Sequence, residues 1–220
     1  MVQTHRILTV SPDGSTTALA GSAEEGFVDG RGEAARFHTP FAVAEGPDGQ
    51  LYVADYGNHS IRRVSREGDV STLAGRPWEE DEDMQIINGN LAVARFNQPG
   101  AIAVTLDGTI FVGEMNGVRQ IREGVVSTLC ECAGCVQGLL LDEPNGLLYI
   151  TARDRILTVV VPTLMQRLEE RFAPVLRVWS LMQREARAEM IPSAPGESAG
   201  EARAREALRL LMKCRIIDIF

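Results

Sequence analysis

At 220 residues, 45% hydrophobic and 24% charged, the chain has the apolar content for a packed core, which excludes a wholly disordered polymer. The net charge of −8 is uneven: residues 1–161 carry 12 Arg against 22 Asp and Glu (−10), and residues 162–220 carry 10 Lys and Arg against 8 acids (+2). An acidic body argues against the general phosphate attraction on which nucleic-acid binding rests, and no uninterrupted apolar run of about 18 residues is available to cross a membrane.

The opening Met1–Arg6 lacks the basic stretch and apolar run of a secretory signal, so a soluble cytoplasmic protein is expected. Arg6–Val10 and Thr16–Leu19 flank Pro12-Asp13-Gly14 and read as two strands of a hairpin. Ala23–Arg36 reads as an insertion, with Asp29-Gly30-Arg31-Gly32 as a turn; no Gly-Lys-Ser/Thr follows it to make a phosphate loop. Four strands come next, Phe41–Ala44, Leu51–Ala54, Ser60–Val64 and Val70–Leu73, separated by Pro47-Asp48-Gly49, Tyr56-Gly57-Asn58 and Arg66-Glu67-Gly68. Trp78–Ala94 is a second insertion. Beyond it lie Ala101–Val104, Ile110–Gly113, Val118–Arg122 and Val125–Leu129, and then a weaker set, Gly138–Leu141, Leu147–Ile150 and Arg155–Val161.

These sets are copies of one another. Asp29–Pro40 returns as Asn88–Pro99 at an offset of 59 positions, and Leu51–Asp55 returns at the same offset as Ile110–Glu114. Thr17–Gly21 recurs as Ser71–Gly75 and as Ser127–Glu131. A repeat of four hairpin-connected strands is one blade of a β-propeller. Residues 1–161 therefore read as three blades preceded by the last two strands of another.

After Pro162 the pattern changes to helical spacing, with Leu164, Leu168, Phe172, Val175, Trp179 and Met182 on one face and a kink expected at Pro174. Residues 191–200 read as a flexible linker, and Glu201–Cys214 as a second helix. The domain division expected is thus a partial propeller over 1–161 and a helical tail over 162–220.

Phe37–Ala44, Leu51–Val64 and Val70–Gly75 together resemble an NHL repeat, and Gly26–Phe37 resembles the insertion common in multi-blade NHL proteins of plants, algae and protists. The resemblance implies a mainly β chain, an incomplete NHL-type propeller of four-stranded antiparallel blades followed by the helical tail. It also implies a non-catalytic protein-interaction scaffold, with the insertions Ala23–Arg36 and Trp78–Ala94 as contact loops. Two alternatives stay open: a degenerate propeller hydrolase or lyase of the gluconolactonase-like type, and an RNA-binding NHL module. The partner expected is a protein, including a second copy joined through open blade edges; nucleic acid and membrane are not expected.

Asn58-His59 sits in a hairpin turn, where Asn tolerates a left-handed backbone and the imidazole can bond neighbouring carbonyls; Asp55 is expected to accept backbone N–H groups there. Asp55 becomes Glu114 and then Ala152, so a site repeated around a ring is not expected. The only histidines, His5, His38 and His59, are too few and too clustered in sequence for a zinc site shared among blades. Cys130, Cys132 and Cys135 lack a nearby fourth ligand, Cys214 being distant, and read as ordinary thiols. Glu79–Asp83 reads as a solvated acidic loop. Arg62-Arg63 reads as one salt-bridged and one exposed arginine on opposite faces of a strand. No catalytic, cofactor-binding or metal-ligating set is expected.

Overall fold

The computed structural model describes residues 5–79, 85–153 and 155–162. The chain divides into two units, residues 1–166 and 167–220, and every described residue belongs to the first. The helices and the 191–200 linker expected in the tail lie outside the described residues.

Strands β1 (Arg6–Val10) and β2 (Thr16–Gly21) form a two-stranded antiparallel hairpin. β3 (Gly30–Arg31) precedes β4 (Pro40–Glu45), β5 (Leu51–Asp55), β6 (Ser60–Val64) and β7 (Asp69–Gly75), and the sheet order is β3-β7-β6-β5-β4. β8 (Gly89–Asn90), β9 (Ala101–Val104), β10 (Ile110–Glu114), β11 (Gly117–Arg122) and β12 (Val125–Glu131) repeat that arrangement as β8-β12-β11-β10-β9. β13 (Val136–Asp142), β14 (Leu147–Ala152) and β15 (Arg155–Val160) form a last, three-stranded sheet. The molecule is mainly β, a half-blade followed by three blades, as the repeat predicts.

One turn design serves four hairpins. The N–H of Ser11, Gly46, Ser65 and Thr105 donates to the carbonyl of the residue four positions on, and a glycine at the fourth turn position donates back. Those glycines, Gly14, Gly49, Gly68 and Gly108, have φ between 71° and 84°, the left-handed region that a side chain resists. Asp or Ser side chains within the turns accept further N–H bonds, as from Ser15 to Asp13 and from Asp69 to Ser65.

The reading of Asp29–Gly32 as a simple turn needs correction. Gly30 and Arg31 are a short edge strand, β3, antiparallel to Val70 and Asp69 of β7, and only then does the chain enter a 3-10 turn over Gly32–Ala34. Gly89 and Asn90 repeat this against Val126 and Val125. Each insertion therefore reaches the outer edge of its blade and adds a fifth strand there. That strand covers part of an edge otherwise open to other chains.

The core lies between blades. Both faces of the central strands are buried, because Val53 packs toward the half-blade with Ala20, Phe37, Val64 and Val70, while its neighbour Ala54 packs toward the second blade with Ile61, Ala74, Phe96, Ile102 and Val112. A third core joins the second and third blades through Phe111, Val118, Val136, Leu148 and Ile150. Phe37 and Phe96 occupy equivalent places, each against a glycine at the end of the preceding outer strand. A Cβ on Gly21 would meet the His5 carbonyl and the Phe37 ring, and one on Gly75 would meet the His59 carbonyl and the Phe96 ring. The Leu-Ala-Gly that ends β2 and β7 thus stops each of these strands on the one residue that admits the next blade's phenylalanine.

Candidate functional site

The most concentrated polar chemistry lies inside the two five-stranded blades, around Arg62 and Arg119. Both arginines are wholly buried, whereas Arg63 is exposed, in line with the alternation of β6. Arg62 donates from NH1 to Asp55 Oδ2 (2.9 Å) and the Arg36 carbonyl, and from NH2 to Asp29 Oδ1 (2.6 Å) and the Val28 carbonyl. Arg119 does the same one blade later, to Glu114 Oε1 (3.2 Å), the Arg95 carbonyl, Asn88 Oδ1 (2.7 Å) and the Ile87 carbonyl. Each arginine therefore fastens both ends of the insertion to the middle of its blade.

The guanidinium of Arg62 lies between two rings, 4.8 Å from the Phe27 centroid and 5.1 Å from that of Phe37. Arg119 has, among the described residues, the Phe96 ring alone, at 5.3 Å. The third blade carries Ala152 and Leu157 at the positions of the acid and the arginine, and has no such insertion. Burial pushes the carboxyls of Asp55 and Glu114 above the ordinary value. N–H donors oppose it: Asn58, His38 and Arg62 for Asp55, and Asn97 and Arg119 for Glu114.

Asp55 accepts from the His38 N–H (2.8 Å), which comes from the segment entering the blade and not from its own turn. The left-handed residue of that turn is His59 (φ 51°); Asn58 sits in the 3-10 segment and its buried amide donates to Asp55 Oδ2 (2.7 Å) and to the Gly26 carbonyl (2.8 Å). His59 accepts from the next blade, its Nδ1 taking the Gln98 N–H at 3.1 Å. His5 does the same for Thr39, also at 3.1 Å. Thr39 and Gln98 are themselves left-handed (φ 55° and 52°), a conformation a β-branched residue adopts only when held there. The two histidines are thus latches between successive blades.

Burial, with a smaller effect of His38, lowers the His59 pKa below its ordinary 6.5, against a hydrogen bond to the Phe96 backbone that raises it. Protonating Nδ1 would also abolish its acceptor role. Because the folded value lies below the unfolded one, the unfolded chain takes up the proton first as pH falls; the stability this supplies is full above about pH 6.5 and lost as pH drops toward the folded value. The urea midpoint is expected to fall between about pH 7.5 and 5, and His59→Asn, which keeps a residue tolerant of the left-handed backbone, to flatten that fall. An unchanged pH slope in the variant would remove the latch.

Of the remaining candidates, His38 is partly exposed and lies 3.2 Å from Glu25. Cys130, Cys132 and Cys135 are free, half-buried thiols, and burial raises the first two, keeping them protonated. Glu79 faces Arg76 at 3.4 Å; the rest of the acidic run and Cys214 lie outside the described residues. Among the described residues no three His, Cys, Asp or Glu side chains are grouped to hold a metal ion.

Sequence reasoning did not anticipate a cleft of about 580 Å³ in the second blade. Its floor is the buried pair Glu114 and Arg119, and its exposed rim includes Asn88, Asn116, Thr128, Glu131 and Ala133, with Cys132 beside them. It arises from a shorter turn: Asp55 is followed by four residues before β6 pairs back at Ser60, but Glu114 by two before Gly117. No Asn58 counterpart exists there, and Phe27 is replaced by Ile86.

The NHL repeat model matches residues 40–64, which are β4 to β6. Teneurin-3 of Danio rerio is 32% identical over 88 residues, amounting to 36% of this chain and 3% of that protein. Teneurin-3 of Mus musculus is 28% identical over a stretch of the same length. Among solved structures, a protein of unknown function from Bacteroides thetaiotaomicron aligns with a TM-score of 0.56 at 16% identity, over 71% of this chain and 42% of that one. A gluconolactonase from Xanthomonas campestris aligns with a TM-score of 0.45 at 19% identity, over 68% and 42%, a likeness that carries no inference about activity. The chain spans less than half the length of each of these.

Proposed function

We propose that this chain, a run of β-propeller blades carrying an NHL repeat, is a non-catalytic protein-interaction scaffold. The observation that carries the reading is the outward face of the third blade. Ile61 and Val118, at the second position of the third full-length strand in their blades, are wholly buried by the blade that follows; Ile156, at the same position, is 71% exposed. Leu140 (67%) and Val160 (79%) share its face. An apolar sheet face of this kind marks an interaction surface. Its natural complement is another apolar sheet, and a second copy of this chain is the partner to test first.

The titratable groups also favour structure over catalysis. His5 and His59 accept backbone N–H groups between blades, and Asp55, Glu114, Arg62 and Arg119 are engaged with insertions, which leaves none of these six poised as a free acid, base or nucleophile.

The test is the molar mass by light scattering over a range of concentrations. The full chain is expected to exceed its 24.0 kDa monomer mass as concentration rises, and Leu140→Asp with Ile156→Asp to return it to that mass with its circular dichroism unchanged. A wild-type chain that stays monomeric throughout would count against the open face as a self-association surface. A rise in melting temperature on adding calcium or zinc would favour the hydrolase or lyase alternative instead.

A further inference from the structure

We propose that the cleft of the second blade is a binding site for a side-chain carboxamide, that of an asparagine or glutamine in a peptide segment of a partner. The proposal deepens the interaction reading above and rests on it for the choice of a peptide source.

The first blade already shows what the site takes. There the equivalent space is filled by two of the chain's own groups. The Asn58 carboxamide donates to Asp55 Oδ2 and to the Gly26 carbonyl, and the Phe27 ring covers the guanidinium of Arg62. In the second blade the acid, the arginine, the insertion and the threonine at the rim are all retained: Glu114, Arg119, Asn88 and Thr128 stand where Asp55, Arg62, Asp29 and Thr72 stand. The acid lengthens from Asp55 to Glu114 and Asp29 becomes Asn88, but the groups that fill the space are lost, Asn58 having no counterpart and Phe27 becoming Ile86.

The hydrogen-bond inventory records the same difference. Asp55 accepts from His38, Asn58 and Arg62, whereas Glu114, among the described residues, accepts from Asn97 and Arg119 alone, the latter at 3.2 Å against 2.9 Å in the first blade. An ionised carboxylate offers about four lone-pair positions, so Glu114 has acceptor capacity where Asp55 receives the Asn58 N–H. The floor pair is neutral as a unit and Glu131 makes the rim acidic, which suits a donor group and repels a carboxylate. Ile86 and the Cys132 side chain supply an apolar wall for the stem that bears the amide.

The experiment is amide-resonance mapping on the full chain with four probes: acetamide, N,N-dimethylacetamide, and N-acetyl, N-methylamide tripeptides of Gly-Asn-Gly and Gly-Leu-Gly. Acetamide and the Asn peptide are expected to shift Asn88, Asn116, Cys132 and Ala133, the peptide about tenfold more tightly. Dimethylacetamide and the Leu peptide, which bring no side-chain N–H, should leave them in place. Ala133→Trp at the rim is expected to abolish the shifts. So is replacing Met115-Asn116 with the first blade's turn, residues 56–59, which would bring the chain's own carboxamide to Glu114; if that graft does not fold, Ala133→Trp decides. Equal shifts by the Leu peptide, or none by any probe, would overturn the site. A peptide no tighter than acetamide would overturn the peptide source and assign the cleft to a small amide. Asn-peptide shifts confined to residues 23–36 would overturn the cleft and leave the interaction reading standing.

Discussion

Replacing Arg62 by leucine is expected to cost about 3–5 kcal/mol of unfolding free energy. The side chain is wholly buried and ties Asp55, Asp29 and the carbonyls of Val28 and Arg36 into one knot. Removing it leaves the Asp55 carboxylate buried without its cation, and the Val28 and Arg36 carbonyls with each other's backbone N–H alone. The third blade shows how the cost is avoided, with Ala152 and Leu157 at the same register. The double variant Asp55→Ala, Arg62→Leu should therefore lose less than the sum of the two single variants, by a coupling of about 1–3 kcal/mol. It should remain below wild type, because Asp55 also holds His38 and Asn58 and the insertion still lacks its fastening. Urea unfolding of the four members of this cycle measures both quantities. A loss below about 1 kcal/mol for Arg62→Leu would mean that the knot is not the anchor of the blade.

Phe96→Ala is expected to cost a comparable amount, about 3–5 kcal/mol, for a different reason. Its ring is fully buried in the core between the first and second blades, against Ala54, Ile61 and Ala74 on one side and Ile102 and Val112 on the other. It also lies under the Arg119 guanidinium and against Gly75. Truncation leaves a void that two backbones, each fixed by four-strand hydrogen bonding, cannot close. Phe96→Leu should cost less than half as much, since most of the volume is kept. The blades touch mainly through such cores, so calorimetry of Phe96→Ala is expected to show broadening of the transition as the blades begin to melt apart. A sharp transition with an unchanged midpoint would contradict this account.

The strands were legible in the sequence because they are short β-rich runs, such as Leu51–Asp55 and Ile110–Glu114, set off by turn residues that recur with the repeat. The edge strands β3 and β8 were not, since two residues, one of them glycine, are too short to show a period. Arg62 and Arg63 separated as alternation requires, yet the depth of Arg62 did not follow from it. A signal for that depth was present: the two units with an insertion carry Asp55 with Arg62 and Glu114 with Arg119, while the unit without one carries Ala152 and Leu157. Likewise His5-Arg6-Ile7 and His59-Ser60-Ile61 are an offset of 54 apart, which marks the latch as a repeated part. The cleft was out of reach, because a turn shortened by two residues reads as a small deletion, and only the three-dimensional neighbours of Asn58 reveal what its loss uncovers.

The fastening of the insertions also sets a schedule for synthesis. Asp29 precedes Arg62 by 33 residues, and Asn88 precedes Arg119 by 31. At a translation rate of about 5–20 residues per second, each insertion leaves the ribosome roughly two to seven seconds before the residue that will hold it exists. The outer edge of each blade is thus the first part to be made and the last to be secured. During that interval the nascent chain presents Phe27 with no guanidinium to stack upon, and the window closes only when the third full-length strand of the blade has been delivered.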